Sequence, residues 1–223
     1  RLLGDRPARV EAYRGYGTPE GVRVRGRVLL GEPPRASAPE DRWWVNLGNA
    51  YRRLESDEVS GAVVRIGFAG ARIETRTDEE GHFDVEIRPE TVPPGDRFWH
   101  DARIELVDPP GDTATARVAI PRGARFGVIS DLDDTVLRTD ARNILRVARE
   151  VLFGNVHTRI PFAGVGAFYR ALHLHEGDRN PLFYVSSSPW NLYDLLNEFL
   201  RLHDIPAGPM DLRDWGLRED ELL

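Results

Sequence analysis

The sequence predicts an all-β first half followed by an α/β second half. Three observations predict this. Up to residue 120, short runs rich in valine, isoleucine and aromatic residues are separated by turn residues, as in a sandwich of antiparallel strands. Beyond residue 125, strand-like apolar runs alternate with helical patterns, the sign of a parallel sheet. Between them, Pro121-Arg122-Gly123-Ala124-Arg125 has no periodicity and reads as a connection. The chain therefore divides into a β-sandwich accessory domain over 1–122 and an α/β domain over 123–223.

In the first half the alternation predicts strands over 9–16, 22–30, 62–68, 71–77, 82–88, 102–107 and 114–120. Thr77-Asp78-Glu79-Glu80-Gly81-His82-Phe83 reads as a hairpin turn in which Gly81 supplies the positive φ. With Pro93-Pro94-Gly95 after it, this hairpin resembles those of transthyretin-like and carboxypeptidase-regulatory-like sandwiches. One helix interrupts the strands, since Trp43, Trp44, Leu47, Tyr51 and Leu54 recur at three- and four-residue steps. In the second half helices are expected over 164–174 and 190–202, and a short strand over 208–213. A further amphipathic stretch, 141–153, is either a small cap over the site or an ordinary helix packed on the sheet.

Composition narrows the function. The 223 residues carry a net charge of −6, and all 30 basic residues are arginine. Residues 126–223 hold 15 acids against 10 arginines, which argues against nucleic acid as a partner. No apolar run reaches the ~20 residues that span a bilayer, and the absence of cysteine excludes disulfides. Arg23, Arg25 and Arg27 alternate with Val24 and Gly26, which puts three guanidinium groups on one strand face. That face is either a solvated strand surface or an attraction for anionic lipid.

Chemistry concentrates in Phe126-Gly127-Val128-Ile129-Ser130-Asp131-Leu132-Asp133-Asp134-Thr135, an apolar strand ending in carboxylates. Ligands of open α/β sheets bind beyond the carboxyl ends of strands. There one carboxylate can attack phosphorus to form an aspartyl-phosphate and the other can serve as general acid and then base; the alternative is a loop in which Asp131 and Asp133 cap the next helix and make Asx turns. Negative charge facing a phosphate calls for a hard divalent cation, Mg²⁺, on carboxylate oxygens. A second strand, Leu182-Phe183-Tyr184-Val185, ends in Ser186-Ser187-Ser188-Pro189, where a hydroxyl can bond a phosphate oxygen. The alternative is a serine-rich turn with Ser188 capping the next helix. His173 and His175 do not share a helix face, so a surface turn is expected there rather than a metal site.

The first string resembles the DxDxT signature of the haloacid-dehalogenase superfamily, and the second its hydrophobic strand ending in Ser. His157-Thr158-Arg159-Ile160-Pro161-Phe162, the run FYVSSSPWNLY over 183–193, Leu212-Arg213-Asp214-Trp215-Gly216 and WWVNLGNAYRRLESD over 43–57 resemble the actin-patch-associated phosphatidate phosphatase family within it. The resemblance implies a Rossmann-like catalytic domain that removes phosphate from phosphatidate with Mg²⁺. It implies Asp131 as nucleophile and Asp133 as acid/base, with Asp131 and the Asp133 backbone carbonyl contacting Mg²⁺. Thr135, Ser186, Ser187, His157 and Arg159 would bind or support the phosphate. It also implies a cytoplasmic protein, peripheral at the membrane surface where phosphatidate lies.

The same superfamily needs a third, basic motif and a fourth, acidic loop. Only 88 residues follow Thr135 and no GDxxxD-like loop is among them. Arg213 is the nearest stand-in for the base, although strand-end packing explains it better, and Asp211, Asp214, Glu219 and Asp220 fit the metal loop poorly. The α/β domain is therefore read as incomplete, with the natural protein expected to continue past Leu223. Two other functions compete: hydrolysis of a soluble phosphomonoester, and a non-catalytic binding or scaffold role in which the sandwich is the working part.

Overall fold

The structure, a computed structural model, describes residues 6–31, 58–95, 97–132, 164–175 and 178–213. The expected helices around Trp43–Leu54 and over 141–153 lie outside the described residues. What is described is mostly strand with few helices, a β-rich part followed by an α/β part.

Eight strands form one hydrogen-bonded set. They are β1 (Ala8–Ala12), β2 (Gly15–Thr18), β3 (Gly21–Leu30), β4 (Val63–Phe68), β5 (Ala71–Arg76), β6 (His82–Ile87), β7 (Trp99–Asp108) and β8 (Thr113–Ala119). Their order is β1-β3-β2-β8-β7-β4-β5, with β6 on the other edge of β3. All pairs are antiparallel except β2 with β8. Alternation drives this set: Val22, Val24 and Val28 of β3 and Val64 and Ile66 of β4 turn inward and are essentially inaccessible. With Ile104, Leu106, Val118 and Phe83 they make one core, each such side chain contributing ~1.5–3 kcal/mol.

Two differences from the expected strands have physical causes. The run 9–16 is two strands because Tyr13 leaves the sheet between them and buries its ring in the second core, where it is 1% exposed. The strand expected over 102–107 begins earlier, at Trp99. Its alternation was hidden by His100, which is buried with Nε2 3.1 Å from the Arg97 carbonyl. The hairpin is as read: Gly81 has φ +76°, and Asp78 Oδ1 accepts from the Glu80 and His82 amides at 3.1 and 2.8 Å.

In the second part, β9 (Val128–Asp131), β12 (Leu182–Pro189) and β13 (Met210–Arg213) form a parallel sheet in the order β13-β12-β9. Two-residue strands β10 (Leu174–His175) and β11 (Asp178–Arg179) make a small antiparallel pair. Helices α1 (Val165–His173) and α2 (Tyr193–Leu202) accompany the sheet, α2 being preceded by a 3-10 turn at Trp190–Leu192. Tyr184, Leu182, Tyr169, Leu196, Phe199 and Met210 form its core. Gly208 is required where the chain passes β12, because a Cβ there would lie 2.0 Å from the Leu182 carbonyl oxygen.

Candidate active site

β9 obeys a period of two. Ser130 faces inward and hydrogen-bonds the Tyr169 hydroxyl of α1, while Ile129 and Asp131 point to the exposed face. Pairing continues past the acid, since the Leu132 amide donates to the Val185 carbonyl at 2.9 Å and Leu132 is buried. The backbone of Asp131 is thus fixed on both sides while its carboxylate faces outward. Val185 is its partner in register, so Ser186 is the next residue along the neighbouring parallel strand. On the far side of β12, Pro189 pairs with Arg213 at the end of β13. The carboxyl ends of three parallel strands therefore gather Asp131, Ser186, Ser187 and Arg213 along one sheet edge.

The remaining expected site residues, Asp133, Thr135, His157 and Arg159, lie outside the described residues. The Ser186 hydroxyl accepts from the Ser188 amide at 3.0 Å, the contact of a serine turn. Ser188 does not cap the following turn, whose N-cap is Pro189 with no side-chain bond. Among the described residues there is no group of three or more histidine, cysteine or acidic side chains able to hold a metal. His173 is structural, with Nδ1 2.8 Å from the Asn180 carbonyl and its ring edge-on to Phe98.

The three arginines on this face of β3 are all paired within the chain. Arg23 pairs with Asp84 of β6, half-exposed. Arg25 donates to the Met210 carbonyl at 2.7 Å and to Asp211 at 3.0 Å, and lies 5.2 Å from the centre of the Trp190 ring. Arg27 reaches Asn191 at 2.6 Å and Glu58 at 2.6 Å. Asp211, which fitted a metal loop poorly on sequence, is occupied by this contact. Sequence reasoning missed the contact because its partners are more than 160 residues apart. The alternating arginines and the aromatic Tyr13 were its only local traces.

Charge is also buried at this junction. Burial, then the neighbouring Asp194 carboxyl, pushes the Glu11 carboxyl up to about 7, partly opposed by Arg9 and Arg27. Tyr193, whose hydroxyl accepts from the Arg14 amide at 2.7 Å, is raised by burial too.

Residues 126–223 match the family model described as the catalytic domain of phosphatidate phosphatase APP1. That segment is therefore similar to this catalytic domain over its whole length. The matched segment begins just before β9 and includes every strand end gathered at the site. The chain is also 30% identical over 143 residues to phosphatidate phosphatase APP1 of Saccharomyces cerevisiae, a match covering 63% of this chain and 23% of the yeast protein. Among the described residues no helix is long and apolar enough to cross a membrane.

Proposed function

We propose that the chain is a Mg²⁺-dependent phosphatase acting through an aspartyl-phosphate on Asp131, with phosphatidate as substrate and diacylglycerol as product. The single observation that carries this reading is the placement of Asp131 beside Ser186 at the carboxyl ends of adjacent parallel strands, within the segment matched to the APP1 catalytic family. The reading includes the architecture: a sandwich over 1–122, supported by its single apolar core, and a haloacid-dehalogenase-type domain over 123–223, supported by the parallel sheet.

The oxygen donors of this sequence support the choice of metal. Asp131 offers exposed carboxylate oxygen at the strand end and Asp133 follows two residues on, the hard oxygen chemistry that Mg²⁺ takes. When bound there, Mg²⁺ supplies positive charge against the phosphate oxygens. The chain's own residues do the rest. An Asp131 Oδ attacks phosphorus, the ester P–O bond breaks, and the leaving alkoxide takes a proton from Asp133. Water then attacks the same phosphorus and gives its proton to Asp133. The acyl-phosphate bond breaks, and phosphate and the Asp131 carboxylate are released. Ser186 and Ser187 would donate hydrogen bonds to phosphate oxygens. Thr135, His157 and Arg159 would support the same group, arginine by its bidentate fork.

A membrane-surface substrate fits a cytoplasmic protein that attaches peripherally. The experiment compares phosphate release, with Mg²⁺, from phosphatidate vesicles and from a panel of water-soluble phosphomonoesters. Faster release from vesicles is expected. A preference for the soluble esters would replace the lipid with a metabolite and leave the phosphoryl chemistry standing.

A further inference from the structure

We propose that Arg25 and Arg27 of β3 are positioning residues for the phosphate site, fixing the turn after β12 and the carboxyl end of β13 relative to Asp131. This rests on the phosphatase reading above, and it gives the β-rich half a role in catalysis.

Contacts from the β-rich half reach this turn. Pairing between β12 and β13 shifts register between Val185 and Pro189, and within the turn the Ser188 amide donates to Ser186 Oγ at 3.0 Å. Pro189 has no amide to donate, and the 3-10 turn that follows has no side-chain cap. Further ties come from the other half of the chain. Arg27 is 5% exposed and divides its donors among three segments: the Glu80 carbonyl at 2.9 Å, Glu58 at 2.6 Å and Asn191 at 2.6 Å. Neutralising Glu58 would not require the bond to Asn191. Trp190 is fixed on two further sides, stacked on Tyr13 at 4.4 Å and under the Arg25 guanidinium. Arg25 in turn clamps the Met210 carbonyl and Asp211, two residues before the end of β13.

Arg23 provides the internal contrast. It shares the strand face but pairs within its own half, with Asp84 of β6. Only the two arginines opposite the strand ends cross over. Their planar fork can serve two or three acceptors at fixed angles, which a lysine ammonium cannot. Reacting groups must be held to roughly 0.5 Å, and a misplacement of about 1 Å can cost about 100-fold in rate. A buried, charge-assisted tie is the type of contact that supplies such precision.

The test uses the full chain with Arg27→Lys, and with Asn191→Ala, which removes the same bond from its half-buried end and covers the case in which the arginine variant does not fold. Hydrogen exchange is followed by residue. The amides of Ser187, Ser188, Trp190 and Asn191 should exchange about tenfold faster or more, as expected for one lost charge-assisted bond, with β4 and β7 unchanged. In parallel, kcat for a water-soluble phosphomonoester should fall by about tenfold or more while KM stays within about twofold. Unchanged exchange in the turn, or exchange raised equally throughout both cores, would overturn the positioning role. Wild-type protein releasing no phosphate from any ester would instead overturn the phosphatase reading, with the exchange result still deciding the contacts.

Discussion

Asp131 shows how much one residue can be made to do by its place in a strand. Its backbone is held by pairing on both sides of the acid, and its side chain faces outward. Asp131→Asn should therefore keep the fold, with stability within about 1 kcal/mol by urea denaturation, and should lower phosphate release by roughly 10³-fold or more. Gly81 gives the opposite case, a residue needed only for the fold. At φ +76°, a Cβ would also lie 2.7 Å from the Val28 carbonyl oxygen. Gly81→Ala should cost ~1–3 kcal/mol in the same assay, without changing the chemistry at Asp131. Both placements were legible in sequence because each is local: an acid at the end of an apolar run, a glycine closing an acidic turn. Arg27 was not, since nothing within ten residues of it identifies Asn191 as its partner.

At the scale of elements, alternation was a good guide wherever one face was wholly apolar, as in β3, β4 and β6. It failed where a buried polar side chain or a departing aromatic broke the pattern, as at His100 and Tyr13. The contact of β1 with α2 is a further such break, because it buries acid against acid. Glu11 titrates near 7 in the fold against 4.5 for a free glutamate, with Asp194 beside it and Arg9 and Arg27 opposing. Between those values the folded chain keeps a proton that the unfolded chain has released. Stability from this group is therefore complete below about 4.5, declines as pH rises through 7, and is absent above it. The gap corresponds to ~3 kcal/mol at most. Glu11→Gln should flatten that decline in a series of thermal melts from acid to alkaline pH; a wild-type melt no less stable at pH 8 than at pH 5 after allowing for other groups would contradict it.

For the whole molecule, the two halves share a core as well as a border. Tyr13, from the loop between β1 and β2, belongs to the apolar cluster of the α/β part, and Trp190 stacks on it. Trp190→Ala should cost about 3–5 kcal/mol and should lower the melting of both halves together, seen by exchange in β4 as well as in α2. Independent melting of the halves would show that the contact is incidental. This long-range arrangement was beyond sequence reasoning, which could place strands and helices but not decide which surfaces meet. The central claim nevertheless stands at one atom. Its most direct measurement is acid quenching of the wild-type protein during turnover of phosphatidate with Mg²⁺, followed by peptide mapping of any covalent phosphoryl group. The account predicts that group on Asp131; phosphate release with no adduct, or with the adduct on another residue, would contradict it.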